Sequence, residues 1–433
     1  MIYTKQLLRR IDPAVNVVVS CFRTGIITAG CVILLSLLLF SCTNNPSPVG
    51  SSLYPPQNKL VFHALDSNNP ADSISFTYKI DLQHLSTATT TSNILAGLYK
   101  TYEARSLMKF AYIVDSSFTF DSIPHMNLKS GYLQIPLAGY RLGDTSVSMQ
   151  FNCTINQILT NYESGATWDS LGALTNYSST PVGSFTGHIG QDDSVLNIPM
   201  DTAFILHLLR YGSFDSLNTN FQGLALLPQS GTSGITSFKT TAATLHLVFQ
   251  QDTLLDTTVM NAVQNIYIAK SAEPDPPGEM VMQSGLVQRL HLYINYPLVP
   301  QLSTINSATL QLTLDTTNSL FGKDHIRDSL QESSLDTMYI FLASSDSTIG
   351  IYELMGARIP GTNIYSFPQI ASFLSLLQHG AANFGIVPQQ GFGSGHNPGD
   401  EFTTLDKFVF YSSAAKDSTL RPRVKIFYST QSQ

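Results

Sequence analysis

The sequence predicts an all-β protein: two tandem antiparallel β-sandwich domains behind an export signal and a flexible tether. Three observations predict it. Apolar and polar residues alternate with period two over many short stretches, among them Ser73 to Ile80, Leu133 to Leu137, Val147 to Ile155, Thr244 to Phe249 and Thr309 to Leu314. Gly, Pro, Asn and Asp separate these stretches, and no strand–helix–strand rhythm appears. Finally, the chain repeats itself at a constant offset.

Composition sets the outer bounds. With 43% hydrophobic residues in 433, there is ample material for cores and global disorder is excluded. Charged residues are only 12%, about half the usual quarter, and the net charge of −7 leaves no basic footprint for nucleic acid. Four cysteines rule out a disulfide-dense scaffold or a multi-cysteine zinc module.

In chain order the first element is residues 1–41. Lys5, Arg9, Arg10 and Arg23 precede an uncharged run from Thr24 to Ser41 with the core CVILLSLLLF, the layout of an export signal. The run is also at the lower limit for a membrane-spanning helix. It closes on Leu39-Phe40-Ser41-Cys42. A small residue before Cys at the end of such a run resembles the lipobox of bacterial lipoproteins. That resemblance implies acylation of Cys42, which becomes the mature N-terminus and anchors the chain in a membrane. Residues 42–57, with their Pro, Ser and Asn, read as a tether. The first acidic residue after Cys42 is Asp66, so the acidic tract associated with surface export of such lipoproteins is missing; the resemblance then implies the periplasmic leaflet of the outer membrane, with the cell surface as the alternative.

Two β domains are expected after the tether, at 58–250 and 257–430. LKSGYLQIPL (Leu128 to Leu137) matches INSATLQLTL (Ile305 to Leu314) at an offset of 177. Strands starting at Arg105 and Gln288 come before them. FQGLALLPQSG from Phe221 then matches NFGIVPQQG from Asn383, and closing strands follow at Ala243 to Phe249 and Pro422 to Tyr428. Leu133, Ile135, Leu137, Leu310, Leu312 and Leu314 should point inward. Short apolar helices are expected at Phe204 to Leu209 and Phe373 to Leu377. The succession Arg105 to Phe110, Ser130 to Ile135, Thr167 to Ser170, Asn220 to Leu224 and Leu245 to Phe249 resembles jelly-roll modules of secreted bacterial surface proteins. With the lipobox and tether, the whole resembles an uncharacterised lipoprotein family of the Bacteroidetes. The resembling positions are core and turn residues and imply no chemistry.

A search for chemistry returns little. The ten histidines show no HxH, HxxxH or HExxH spacing, so neither a metal nor a cofactor is expected. His246 and His291 are expected on exposed strand faces. No GxSxG elbow or P-loop occurs, and GFGSGH from Gly391 reads as a flexible loop. No catalytic residue is expected. Cys153, on the apolar face of its strand, reads as a packing thiol. Trp168, the sole tryptophan, suits packing better than sugar stacking.

One bias stands out: 16 of the 22 Asp residues after Cys42 are followed by Ser or Thr. The pattern resembles the O-glycosylation sequon of exported Bacteroidetes proteins. On that resemblance Ser170, Ser216 and Ser329 are the candidate sites. Asp and Ser also cap turns through local hydrogen bonds, which accounts for the bias without any glycan. The expectation for function is a non-catalytic, lipid-anchored envelope protein that binds or scaffolds an envelope protein or glycan, with glycan capture as the alternative and envelope hydrolysis third.

Overall fold

A computed structural model describes residues 59–82, 93–110, 126–144, 148–163, 165–205, 221–239, 243–251, 253–286, 288–324, 336–345, 349–390 and 403–431. Residues 62–430 form one compact unit; the other comprises 1–61 with 431–433, of which only 59–61 and 431 are described. The chain is all-β. Its strands begin with β1 (Leu60–Asp66) and β2 (Ser75–Leu82). Next come β3 (Asn93–Tyr99), β4 (Tyr102–Phe110), β5 (Met126–Gly143), β6 (Ser148–Gln157), β7 (Gly183–Gly190) and β8 (Val195–Met200). The first half closes with β9 (Leu224–Pro228), β10 (Gly234–Lys239) and β11 (Thr244–Gln251). After the long β12 (Leu254–Lys270) come β13 (Met280–Gln283), β14 (Gln288–Asn295), β15 (Thr304–Thr313), β16 (Lys323–Asp324), β17 (Thr337–Ala343) and β18 (Ile349–Arg358). The series ends with β19 (Ile364–Phe367), β20 (Ile386–Gln390), β21 (Lys407–Phe410) and β22 (Arg423–Gln431). Helix α1 is Trp168–Leu171 and α2 is Ala371–Gln378.

Among the described residues these strands build two sheets of eleven. The first runs β10-β3-β4-β12-β11-β5-β8-β7-β6-β9, with β16 added on β5, and closes on itself through β10–β5 and β4–β9. The second runs β1-β22-β15-β19-β18-β17-β20-β14-β13-β21, with β2 added on β14, as a half-barrel. The architecture is thus sandwich-like but takes a barrel form rather than a jelly roll.

The repeat survives into the register. Leu133 on β5 faces Leu245 on β11, and Leu310 on β15 faces Val424 on β22. Each ladder then skips one residue at the same place, passing Lys129 in the first and Asn306 in the second. The other pairings correspond as well. β4–β9, β9–β6, β6–β7, β7–β8 and β8–β5 are repeated as β14–β20, β20–β17, β17–β18, β18–β19 and β19–β15. The six inward positions are all buried, each in the core of its own sheet.

Repeat and sheet are nevertheless different partitions of the chain. β12, past residue 250, pairs with β11 through Leu254–Asn261 and with β4 through Ala262–Lys270, inside the first sheet. β1 and β2, from the beginning of the chain, pair with β22 and β14 in the second.

Helix α2 contains the second of the two expected helices and buries Phe373 and Leu374 in the second core. At the first, residues 202–205 are helical and 206–209 lie outside the described residues.

Candidate functional site

Among the described residues, a cleft lies where β12 hands over to the linker before β13. It holds about 520 Å³ and is lined by Trp168, Lys270, Glu273, Asp275, Gln283 and Gln288 among others. A neighbouring cavity of about 390 Å³ lies past the same linker and shares Glu273 and Asp275.

Alternation on β4 explains a charged cluster behind the cleft wall, which Lys270 joins to the cleft. Glu103 and Arg105 are two residues apart, hence on one face, and Lys270 is the direct cross-strand partner of Glu103. Arg105 is buried and contacts Glu103 at 2.6 Å, while Lys270 reaches the other oxygen of Glu103 at 3.2 Å. The Arg105 guanidinium also donates to Gly172 O at 2.8 Å.

Above this cluster is the Trp168 ring, with the Arg105 guanidinium and the Lys270 ammonium each 4.5 Å from its centroid. A short capped turn holds the ring there. Ser170 Oγ donates to Thr167 O and accepts from Thr167 N, both at 2.9 Å, and Tyr177 OH donates to Leu171 O at 2.7 Å. Trp168 packs on a small cluster of its own that includes Leu107, Ile158, Leu171, Tyr177 and Ile266. The ring is therefore a shelf for two cations, and the packing role expected for it is present.

The linker supplies the second cluster. Tyr102 OH donates to Glu273 at 2.8 Å; burial, and then this bond, push the phenol up to about 12. Asp275 accepts from Gln288 and lies 3.5 Å from the buried ammonium of Lys407. Gln283 donates its amide to Leu405 O at 3.2 Å. Asp169, Glu273 and Asp275 share the walls with Lys270, and such a surface can hold a polar ligand by exchanging these partners for its own groups.

Deeper between the sheets is a buried carboxylate, Asp406. It accepts from Tyr140 OH at 2.9 Å, Gly322 N at 2.8 Å and Gln390 Nε2 at 3.0 Å. Tyr140 OH accepts in turn from Leu405 N at 3.0 Å. Tyr140 is on β5 and Asp406 just before β21, so the network fastens the two sheets together.

Cys42, Ser216 and Ser329 lie outside the described residues, as does the GFGSGH loop. Ser170 is exposed, with its hydroxyl engaged in the capped turn described above. Several other Asp residues of the Asp-Ser/Thr pattern cap turns: Asp201 accepts from Ala203 N and Phe204 N, Asp315 from Thr317 N, and Asp417 from Thr419 N. Cys153 is a buried thiol, pushed up to about 12 by desolvation. His246 is half-buried and stacked on Tyr132 at 4.6 Å, and desolvation lowers its pKa. His291 corrects the expectation: it is only 2% exposed, with its Nδ1 at 2.8 Å from Phe384 O. Alternation assigned the correct face, but that face is covered.

Sequence reasoning missed Glu103, Lys270, Glu273, Asp275 and Asp406. Glu103 and Arg105 two apart in a strand were a legible signal; the carboxylates of the linker and of the sheet junction had none. Among the described residues, no group of three His, Cys, Asp or Glu side chains could hold a metal ion, and no helix is long and apolar enough to cross a membrane. Comparison with protein-family models and with curated proteins found no match.

Proposed function

We propose that this is a non-catalytic, lipid-anchored protein of the cell envelope that binds or scaffolds a partner there. The observation that carries the reading is Ser41-Cys42 at the end of an uncharged run, followed by a Pro- and Ser-rich tether that stops just before β1. Acyl chains on Cys42 give stable anchoring where a single chain is marginal. The outer membrane, on its periplasmic leaflet, is the proposed location, and kinship with Bacteroidetes lipoproteins belongs to the same proposal. Labelled palmitate should enter the wild-type chain and not Cys42→Ala; equal labelling of both would refute the anchor.

A second reading is glycan capture, favoured by the cleft of Trp168, Lys270, Glu273 and Gln288. Glycan-array binding that Lys270→Ala and Glu273→Ala weaken would support it, and a blank array would leave a protein partner as the reading. We propose Ser170, Ser216 and Ser329 as O-glycosylation sites. Intact mass of the protein from its native host, equal to the acylated chain alone, would remove them.

A further inference from the structure

The two halves exchange their leading strands. In chain order β1 and β2 precede the first repeat and β12 precedes the second. In the fold β12 completes the first sheet against β11 and β4, while β1 and β2 complete the second against the corresponding strands, β22 and β14. We infer that residues 62–82 are a detachable donor arm, and that the groove between β22 and β14 accepts the same arm from a second copy of this chain, giving a strand-exchanged dimer.

Burial supports detachment. Within residues 62–82 only Leu65 is buried, and every side chain of β2 is at least partly exposed. β12, by contrast, buries Met260, Ile266, Tyr267 and Ile268. With Leu65 alone fully in the core and Ile74, Phe76 and Tyr78 only partly buried against it, the segment belongs to the less stable part of the fold and opens before β12.

What fixes the arm is chemistry that any copy offers equally. β2 pairs with β14 from Ser75 opposite Asn295 to Leu82 opposite Gln288, through main-chain bonds. On β1, Ser67 N donates to Val424 O at 3.0 Å and Ser67 Oγ accepts from Val424 N at 2.9 Å. His63 stacks on Tyr428 at 4.8 Å. An ion-pair clamp completes the seat: Asp66 accepts from Arg423 Nε at 3.0 Å, and Lys425 Nζ lies 3.7 Å away. Reciprocal exchange of such an arm closes a two-fold dimer with no new contact types.

The clamp provides the test, using the full chain in detergent. One variant carries Asp66→Arg and the other Arg423→Asp with Lys425→Asp, so each repels its own arm. Within a mixed dimer both clamps are of opposite sign again. Co-refolded at equal concentration, the two variants should lose monomer and give a species of twice the mass containing one chain of each, read by native mass spectrometry. If either variant fails to fold alone, recovery of soluble protein only on mixing supports the same conclusion. A third chain carrying all three substitutions restores the clamp within one copy and between copies alike, and should fold with the wild type's own distribution of monomer and dimer. A mixture that stays monomeric, or stays insoluble, while that third chain folds would overturn the inference.

Discussion

A carboxylate excluded from water is tolerable when its lone pairs are engaged, and Asp406 meets that condition with three donors. Asp406→Ala leaves Tyr140 OH, Gly322 N and Gln390 Nε2 without this acceptor. At about 1–3 kcal/mol for each stranded group, urea denaturation should show a loss of more than about 3 kcal/mol. Tyr140→Phe removes one of these bonds and should cost roughly half as much or less. The pH behaviour of two aspartates runs in opposite directions. Burial raises the pKa of Asp406, so its contribution is complete below the ordinary Asp value of about 3.9 and is lost as pH rises through its folded value. Arg423 chiefly lowers that of Asp66, so its contribution is present above about 3.9 and is lost as pH falls through its lower folded value. Hydrogen-exchange protection at Ser67 and Val424, taken relative to the intrinsic rate at each pH, should therefore fall on acidification, and Asp66→Asn should abolish that acid limb. None of these pairings was legible in the sequence, because Asp66 and Arg423 are 357 residues apart.

At the scale of the element, far more could be read in advance. A constant offset between Leu133 and Leu310 predicted equivalent strands, and the structure gives them equivalent partners and the same skipped residue. Period two fixes which side chains share a face, so inward positions are legible. Which faces are covered is decided by segments far away in the chain, and there His291 escaped. Matching glycines open the two corresponding strands β9 and β20. Gly223 has φ of +120° and Gly385 of +92°, a region that side chains rarely adopt. A Cβ on Gly223 would come within 2.4 Å of Met108 O, whereas on Gly385 it would meet His291 Cβ at 3.1 Å. Gly223→Ala should thus cost more than Gly385→Ala. The backbone penalty is about 1–3 kcal/mol at both sites, and the overlap with a main-chain oxygen adds far more to it at the first than the tight contact at the second. Thermal unfolding of the two variants side by side checks the order.

On the scale of the whole molecule, exchanged leading strands make the repeats interdependent. Residues 93–270 contain every strand of the first sheet except β16, so they should fold without the rest. Residues 280–431 lack β1 and β2, leaving the edges of β22 and β14 bare. Unpaired edges of that kind invite aggregation. The contacts Ser67 to Val424 and His63 to Tyr428 run in opposite chain directions, so β1 and β22 are antiparallel. A short loop is therefore enough to join the end of β22 to the start of β1. A rearranged chain carrying residues 280–431, a short Gly-rich loop and then residues 60–82 should restore the second sheet in one polypeptide. It is expected to be soluble and monomeric with a single cooperative urea transition, while 280–431 alone aggregates. Equal behaviour of the two chains would mean that the arm adds nothing to the second sheet. A soluble rearranged chain in which Leu65→Asp has no effect would show that the arm is not seated, because that substitution puts a charge on the one buried side chain of residues 62–82.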